Sequence, residues 1–329
     1  MLVLKTFYQM QIKFYLICIL GLTLMSCNEE SKIEKEIANI KTDFTVERFD
    51  KAFFEATPKD LPKLKKAYPF FFSKHIPDSI LVHKMNDTLQ RELLSEVQKT
   101  FPDFKSSKQE LKQLFQHLKY YDKTFTSPRV ITLTNDVAYR DKIIVNDSLV
   151  LIALDNYLGA EHEFYQNISM YIAANLRKDL ITVDVANGYA EKYIFQTNRK
   201  TLLDEMIYFG KLLYFKDVMI PFKTDAEKIG YTEAQIKWAE ANESPIWSYF
   251  IEKELLYNTD PKLPNRFIAD APFSKFYLEL DNESPGRLGQ YMGWQIVKAY
   301  AETTDEDIMK IMQTEPQVIF NKAKFKPKK

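Results

Sequence analysis

Residues 201–211 read TLLDEMIYFGK and carry Asp204, Glu205 and Tyr208 in a stretch with helical spacing. Positions i and i+4 of a helix share a face, so Asp204 and Tyr208 point the same way, with Lys211 beside them. Ligands at i and i+4 with a glutamate next to the first is a spacing that can grip a metal ion and set a general base against it. Tyr208 is a weak ligand, because a phenol with a pKa of about 10 keeps its proton near neutrality. The four histidines, His75, His83, His117 and His162, all precede this segment, so zinc is not expected here. Oxygen-only ligation by Asp204, a later glutamate and water, with Glu205 as base, would favour Mg²⁺, Mn²⁺ or Ca²⁺. The competing reading makes both acids structural, paired with Lys211 or Arg287.

Two further strings carry polar groups at close spacing. In DNESPGRLGQYMGW (281–294), Asp281 or Glu283 could pair with Arg287 and shape a pocket beside Tyr291 and Trp294. The same string also reads as a helix start, with Ser284 as N-cap and Pro285 in the first turn. ALDNYLGAEHEF places Asp155, Glu161, His162 and Glu163 together, where a lone histidine between acids reads as a solvated side chain. No GxSxG, GxGxxG or GxxxxGK[ST] string occurs, which sets aside serine-nucleophile and nucleotide chemistry.

The elements that must position these groups follow from period and punctuation. On the 199–215 helix, Leu202, Met206, Phe209 and Leu213 form the apolar stripe. Other helices are expected near 80–98, 105–119, 164–177, 182–195, 231–241, 244–256 and 285–302. RVITLTN (129–135), KIIVND (142–147) and LVLIALDNYL (149–158) read as strands, with NDS (146–148) as a hairpin turn. The expected fold is α+β and predominantly α-helical, with a small antiparallel sheet in the middle.

The chain has 329 residues, 46% of them hydrophobic, ample for a sizeable core. Basic and acidic residues balance at 45 each without a dense basic block beyond KFKPKK, so nucleic acid is not an expected partner. Lys5 and Lys13 precede the apolar run FYLICILGLTLM (14–25), which is short for a spanning helix and is followed by Ser26-Cys27. LMSC resembles a bacterial lipobox. Residues 1–26 are read as a lipoprotein signal peptide, with Cys27 as the acylated residue and 27–44 as a polar tether. Cys18, the other cysteine, would leave with the signal peptide, so no disulfide is expected. Residues 45–329 are expected to form one globular domain: a helical part (45–128), the sheet (129–160) and a second helical part (161–329).

The order of a strand LVLIALDNYLG, the DExxY helix, YTEAQIKWAEANESPIWSYFIEKELLY and DNESPGRLGQYMGWQIVKAY is similar to that of gluzincin-type metallopeptidases whose HExxH histidines are absent here. That resemblance implies a groove closed by the GR-G-Y-G-I segment, with Glu243 or Glu252 in the region of the third metal ligand. It makes Asp204, Glu205, Tyr208, Trp247, Arg287, Tyr291 and Trp294 candidates for groove or partner contacts. More closely, the lipobox, LLDEMIYFGKLLYFKD, IGYTEAQIKWAEANESPIWSYFIE, APFSKFYLELDNESPGRLGQYMGWQIV and the terminal KFKPKK resemble the gliding-motility lipoprotein B family, GldB, of gliding Bacteroidota. This resemblance implies a lipid-anchored protein of the cell envelope, joined to the membrane through its N-terminal lipid. Its partners would be proteins of the gliding and type IX secretion apparatus. It implies no cofactor, no bound metal and no catalytic residue; the alternative is a metal-dependent peptidase with Glu205 as base and Asp204, Tyr208 and Glu243 around it. Three strings, DSI, DTL and DSL, look like Bacteroidota O-glycosylation acceptors at Ser79, Thr88 and Ser148.

Overall fold

The structure is a computed structural model that describes residues 32–196, 198–277 and 281–328. The segment expected to be a signal peptide (1–26) and Cys27 lie outside the described residues. The chain divides into two compact units, Met1–Thr42 and Asp43–Lys329. In the first, residues 32–38 form a helix, α1, inside the segment that the sequence marks as a tether.

The second unit opens with strand β1 (Val46–Arg48) and helices α2 (Phe49–Phe54), α3 (Leu61–Ala67), α4 (Asp78–Asn86), α5 (Thr88–Thr100) and α6 (Lys105–Tyr121). The helix expected over 80–98 is broken at Asp87. This residue takes extended dihedrals, and its carboxylate accepts from Gln90 N, so it ends α4 and caps α5. Ser79, Thr88 and Ser148 are all exposed.

Strands β2 (Arg129–Leu133), β3 (Ile143–Val145) and β4 (Leu149–Ala153) complete a four-stranded sheet in the order β1-β2-β4-β3. The hairpin between β3 and β4 is antiparallel, with Val145 opposite Val150 and Asn146 Oδ1 accepting from Ser148 N and Leu149 N in the turn. The sheet as a whole is mixed rather than antiparallel: β1 runs parallel to β2, and β2 parallel to β4 with Val130 opposite Val150. Parallel strands are covered on both faces and read as unbroken apolar runs, which is the character of LVLIA in β4.

The expected 164–177 helix is not continuous. A 3₁₀ turn at Glu163–Tyr165 is separated from a single-turn helix α7 (Met170–Ala173), because the Tyr165 hydroxyl accepts from Leu158 N and donates to Asp155 O, pinning the turn. Helices α8 (Ile181–Tyr193), α9 (Leu202–Met219), α10 (Asp225–Ile229), α11 (Glu233–Ala241), α12 (Glu243–Glu252), α13 (Leu263–Phe267), α14 (Leu288–Ala301), α15 (Ile308–Gln313) and α16 (Pro316–Ala323) follow.

Helix α9 is the centre of this unit. Leu202, Leu203, Met206 and Leu213 enter an apolar cluster with α12, α13 and α14, while Leu212, Phe215 and Met219 enter a second one with β2, β4, α6 and α8. A helix that is apolar nearly all round is a buried one, so the single stripe expected from the sequence is only part of its packing surface. Lys211 is fully buried, not on a polar face; its ammonium donates to Thr314 O at 2.6 Å, tying α9 to the α15–α16 junction. Burial without a carboxylate in contact pushes its pKa down to about 8. Helix α14 crosses α9 in backbone contact: a Cβ added at Gly210 would lie 2.3 Å from Gly293 O.

Candidate functional site

Asp204 sits at N3 of α9, where it completes a capping box. Thr201 Oγ1 accepts from Asp204 N at 3.1 Å, and the Asp204 carboxylate accepts from Thr201 N at 3.0 Å and Lys200 N at 3.1 Å. Its charge also opposes the positive end of the helix dipole. Glu205 faces Arg199 at 3.4 Å, and the Arg199 guanidinium lies 4.1 Å from the Tyr208 ring centroid. Burial raises the carboxyl of Glu205 above the usual range, against the pull of Arg199, and raises that of Glu191 on α8. Burial also raises the Tyr208 phenol, which keeps it protonated. The first turns of α9 therefore hold one arginine between partly buried acids and an aromatic ring.

Glu243 is elsewhere. It is buried at the start of α12, where it accepts from the Tyr291 hydroxyl at 3.2 Å and from Lys328 N at 2.8 Å, so the KFKPKK segment closes over it. Burial and this carboxylate raise the Tyr291 phenol. Glu252 is exposed at the end of α12. Trp247 packs on the Phe320 and Phe325 rings, and Trp294 is buried with its indole N–H donated to Asp217 at 2.6 Å. Among the described residues, no three His, Cys, Asp or Glu side chains converge as a metal-binding group.

Arg287 pairs with neither Asp281 nor Glu283. Its guanidinium donates to Gly230 O at 2.8 Å and lies 3.5 Å from Asp270, while Asp281 accepts from Phe276 N and Tyr277 N. Its backbone is left-handed, with φ of 60°. Helix α14 accordingly begins at Leu288 rather than near Ser284. The hydroxyl that accepts from Leu288 N belongs to Ser274, brought in from a preceding loop, and Ser284 donates to Ser274 O and Asp281 O instead.

His162 is not simply solvated: it lies 3.5 Å from Glu96 and packs against Phe164 and Tyr165. Asp155 is fully buried, where burial pushes its carboxyl up to about 6 against the backbone N–H groups that bond it. Those N–H groups belong to Asn135 and Val137, beside a pair of left-handed residues, Asp136 and Val137. Such a run of amides cradles an anion, and here the protein supplies its own.

Of the sequence candidates, only Arg287 lines the two adjoining cavities, one of about 480 Å³ beside α9 and one of about 750 Å³ next to it, beside α10. Both volumes are within the usual range for ligand sites. The smaller cavity runs between α8 and α9, with Asp184, Asn187, Leu212 and Lys216 on its walls and Lys142 at one side; Arg287, Asn175 and Tyr171 are common to both. Lys142 pairs with Asp184 at 2.7 Å, and Asp184 also accepts from the Tyr157 hydroxyl. Lys216 donates to Lys228 O at 3.0 Å, and burial pushes its pKa down to about 8. Lys211 and Lys216 are the sequence signal for special positions on α9: two charges inside an otherwise apolar helix. What spacing could not supply is that the walls come from α7, α8 and the β2–β3 loop.

No curated protein and no solved structure matches the chain. A family model described as gliding motility protein GldB matches residues 30–327, and the chain belongs to this family of gliding-motility lipoproteins.

Proposed function

We propose that the protein is a lipid-anchored envelope component of the gliding and type IX secretion apparatus, and that it works by binding a protein partner rather than by catalysis. Family membership supports the motility setting, and the LMSC string supports acylation at Cys27, with the attached chains holding the protein on a membrane. Among the described residues no helix is long and apolar enough to cross a membrane.

The observation that carries the binding reading is the division of labour on α9. Asp204 is spent on its helix cap, whereas the open space lies farther along the helix, beside Lys216. A second reading, a metal-dependent peptidase with Glu205 as base, draws on the raised carboxyl of Glu205. Against it, Arg199 stands 3.4 Å from that carboxylate, and Glu243 is occupied by Tyr291 and Lys328.

The test is gliding by cells whose only copy carries Asn187→Arg, which places a long side chain in the cleft. Loss of gliding with normal protein level and melting temperature is expected; normal gliding would defeat the cleft reading. Separately, Cys27→Ser should release the protein from the membrane fraction.

A further inference from the structure

The cleft between α8 and α9 holds more cationic donor capacity than the protein uses, and we propose that it binds a carboxylate-bearing peptide with Lys216 and Arg287 as anchors. This deepens the binding role proposed above and rests on it. Lys216 is 7% exposed, yet it lines the cavity wall. An ammonium has three N–H donors, and among the described residues Lys216 uses one, to Lys228 O. No carboxylate touches it. Asp184 and Glu191 act on it from a distance in favour of the charged form, while Arg287 and Lys142 oppose it.

A buried charge without a counterion is costly unless something completes it, and the nearby acids are already engaged. Asp184 is held by Lys142 and Tyr157, and Glu227 by Lys223 and Thr224. Lys228, also on the wall, is spent on Asp217 and Asp225. Among the described residues, the cations left on the wall without a close carboxylate are therefore Lys216 and, at the rim, Arg140, which lies over the Tyr139 ring, together with Arg287, whose own counterion, Asp270, is mostly exposed at 3.5 Å. Arg287 also has a left-handed backbone, which is uncommon for a residue with a Cβ. Around these charges, the carboxamides of Asn175 and Asn187 and the side chains of Leu212 and Phe209 offer the mixed polar and apolar wall that a peptide chain requires.

The test is the rate of Lys216 acetylation, followed by mass spectrometry on the full chain in detergent. An amine with a depressed pKa reacts readily when reached, and a bound carboxylate both shields and protonates it. Three probes are compared with chloride at equal ionic strength: an N-acetylated peptide amide with one Asp, an N-acetylated tetra-alanine with a free C-terminus, and inorganic phosphate. At least one of the two peptides should slow Lys216 labelling tenfold or more while leaving exposed Lys237 unchanged, and which of them does so separates a side-chain carboxylate from a chain terminus. Arg287→Gln should raise the concentration needed about tenfold. Should that variant not fold, the isosteric Asn187→Asp should abolish protection by charge repulsion. Unchanged labelling with both peptides, or protection by phosphate alone, would overturn the proposal. Because labelling does not depend on gliding, its failure is separable from failure of the motility role.

Discussion

Replacing Gly293 by alanine tests the packing at the centre of the fold. The added Cβ would lie 1.8 Å from Met206 O and 2.4 Å from Met206 C, so it meets the α9 backbone, which has no rotamer to change. Carbon atoms settle at about 3.5 Å or more from one another, so α9 and α14 would have to part by roughly 1–2 Å. Overpacking by one methyl costs about 1–3 kcal/mol, and more where the neighbour cannot yield; alanine returns about 1 kcal/mol of helix propensity. With the overpacking cost at or above the top of that range, the net expectation is a loss of about 2 kcal/mol or more, which lowers the melting temperature by roughly 3 °C or more in a unit of this size. Gly188→Ala is the comparison: its nearest neighbours are the Cγ2 and Cβ of Val145, at 2.8 and 3.2 Å, side-chain atoms of a stiff residue rather than helix backbone, so a smaller loss than at Gly293 is expected. The assay is urea unfolding followed by circular dichroism, comparing midpoints at a common slope. A Gly293→Ala protein as stable as the parent would refute backbone contact between α9 and α14.

Lys211 and Lys216 both have folded pKa values near 8, below the unfolded value, so the unfolded chain binds more protons between about pH 8 and 10 and stability should rise across that window. The rise should shrink in Lys211→Met, seen as a smaller difference between urea midpoints at pH 7.5 and 9.5; above about pH 10 the buried tyrosines, whose folded pKa values are raised, reverse the trend. Thr201→Ala and Asp204→Ala should each cost about 1 kcal/mol, and the double variant less than their sum, because both remove one capping box. Ser274→Ala should cost about 1 kcal/mol by removing the acceptor for Leu288 N, whereas Ser284→Ala should leave that bond in place; protection of the Leu288 amide from hydrogen exchange reports the difference.

What the sequence disclosed about this fold depended on how local each cause was. The β3–β4 hairpin was legible because the Asn-Asp-Ser turn lies between two β-branched runs, and the body of α9 because apolar residues recur along it. The place of β1 was not: VER has no apolar signal, and its parallel pairing with β2 depends on a crossover through five helices. The cap expected at Ser284 is not formed, because the hydroxyl that accepts from Leu288 N is that of Ser274, ten residues before Ser284, which reaches it only through a loop. The GR-G-Y-G spacing is visible in the sequence, and two of its glycines prove to be contact points: Gly289 against Phe267 O and Gly293 against Met206 O. Lys216 had the plainest chemical signal, a lysine in an apolar helix, but its cavity becomes visible only when α7, α8 and the β2–β3 loop are assembled around it.

On the function proposed above, α9 serves gliding through its fold and the cleft beside it, with Glu205 outside the working chemistry. The most direct measurement is the gliding speed of cells whose only copy carries Glu205→Gln, which keeps the side chain's shape and removes its charge and basicity. Gliding indistinguishable from the parent, at equal protein level, is the predicted result. Immotile cells containing normal amounts of a folded, membrane-bound Glu205→Gln protein would contradict it and would put catalysis back at the head of α9.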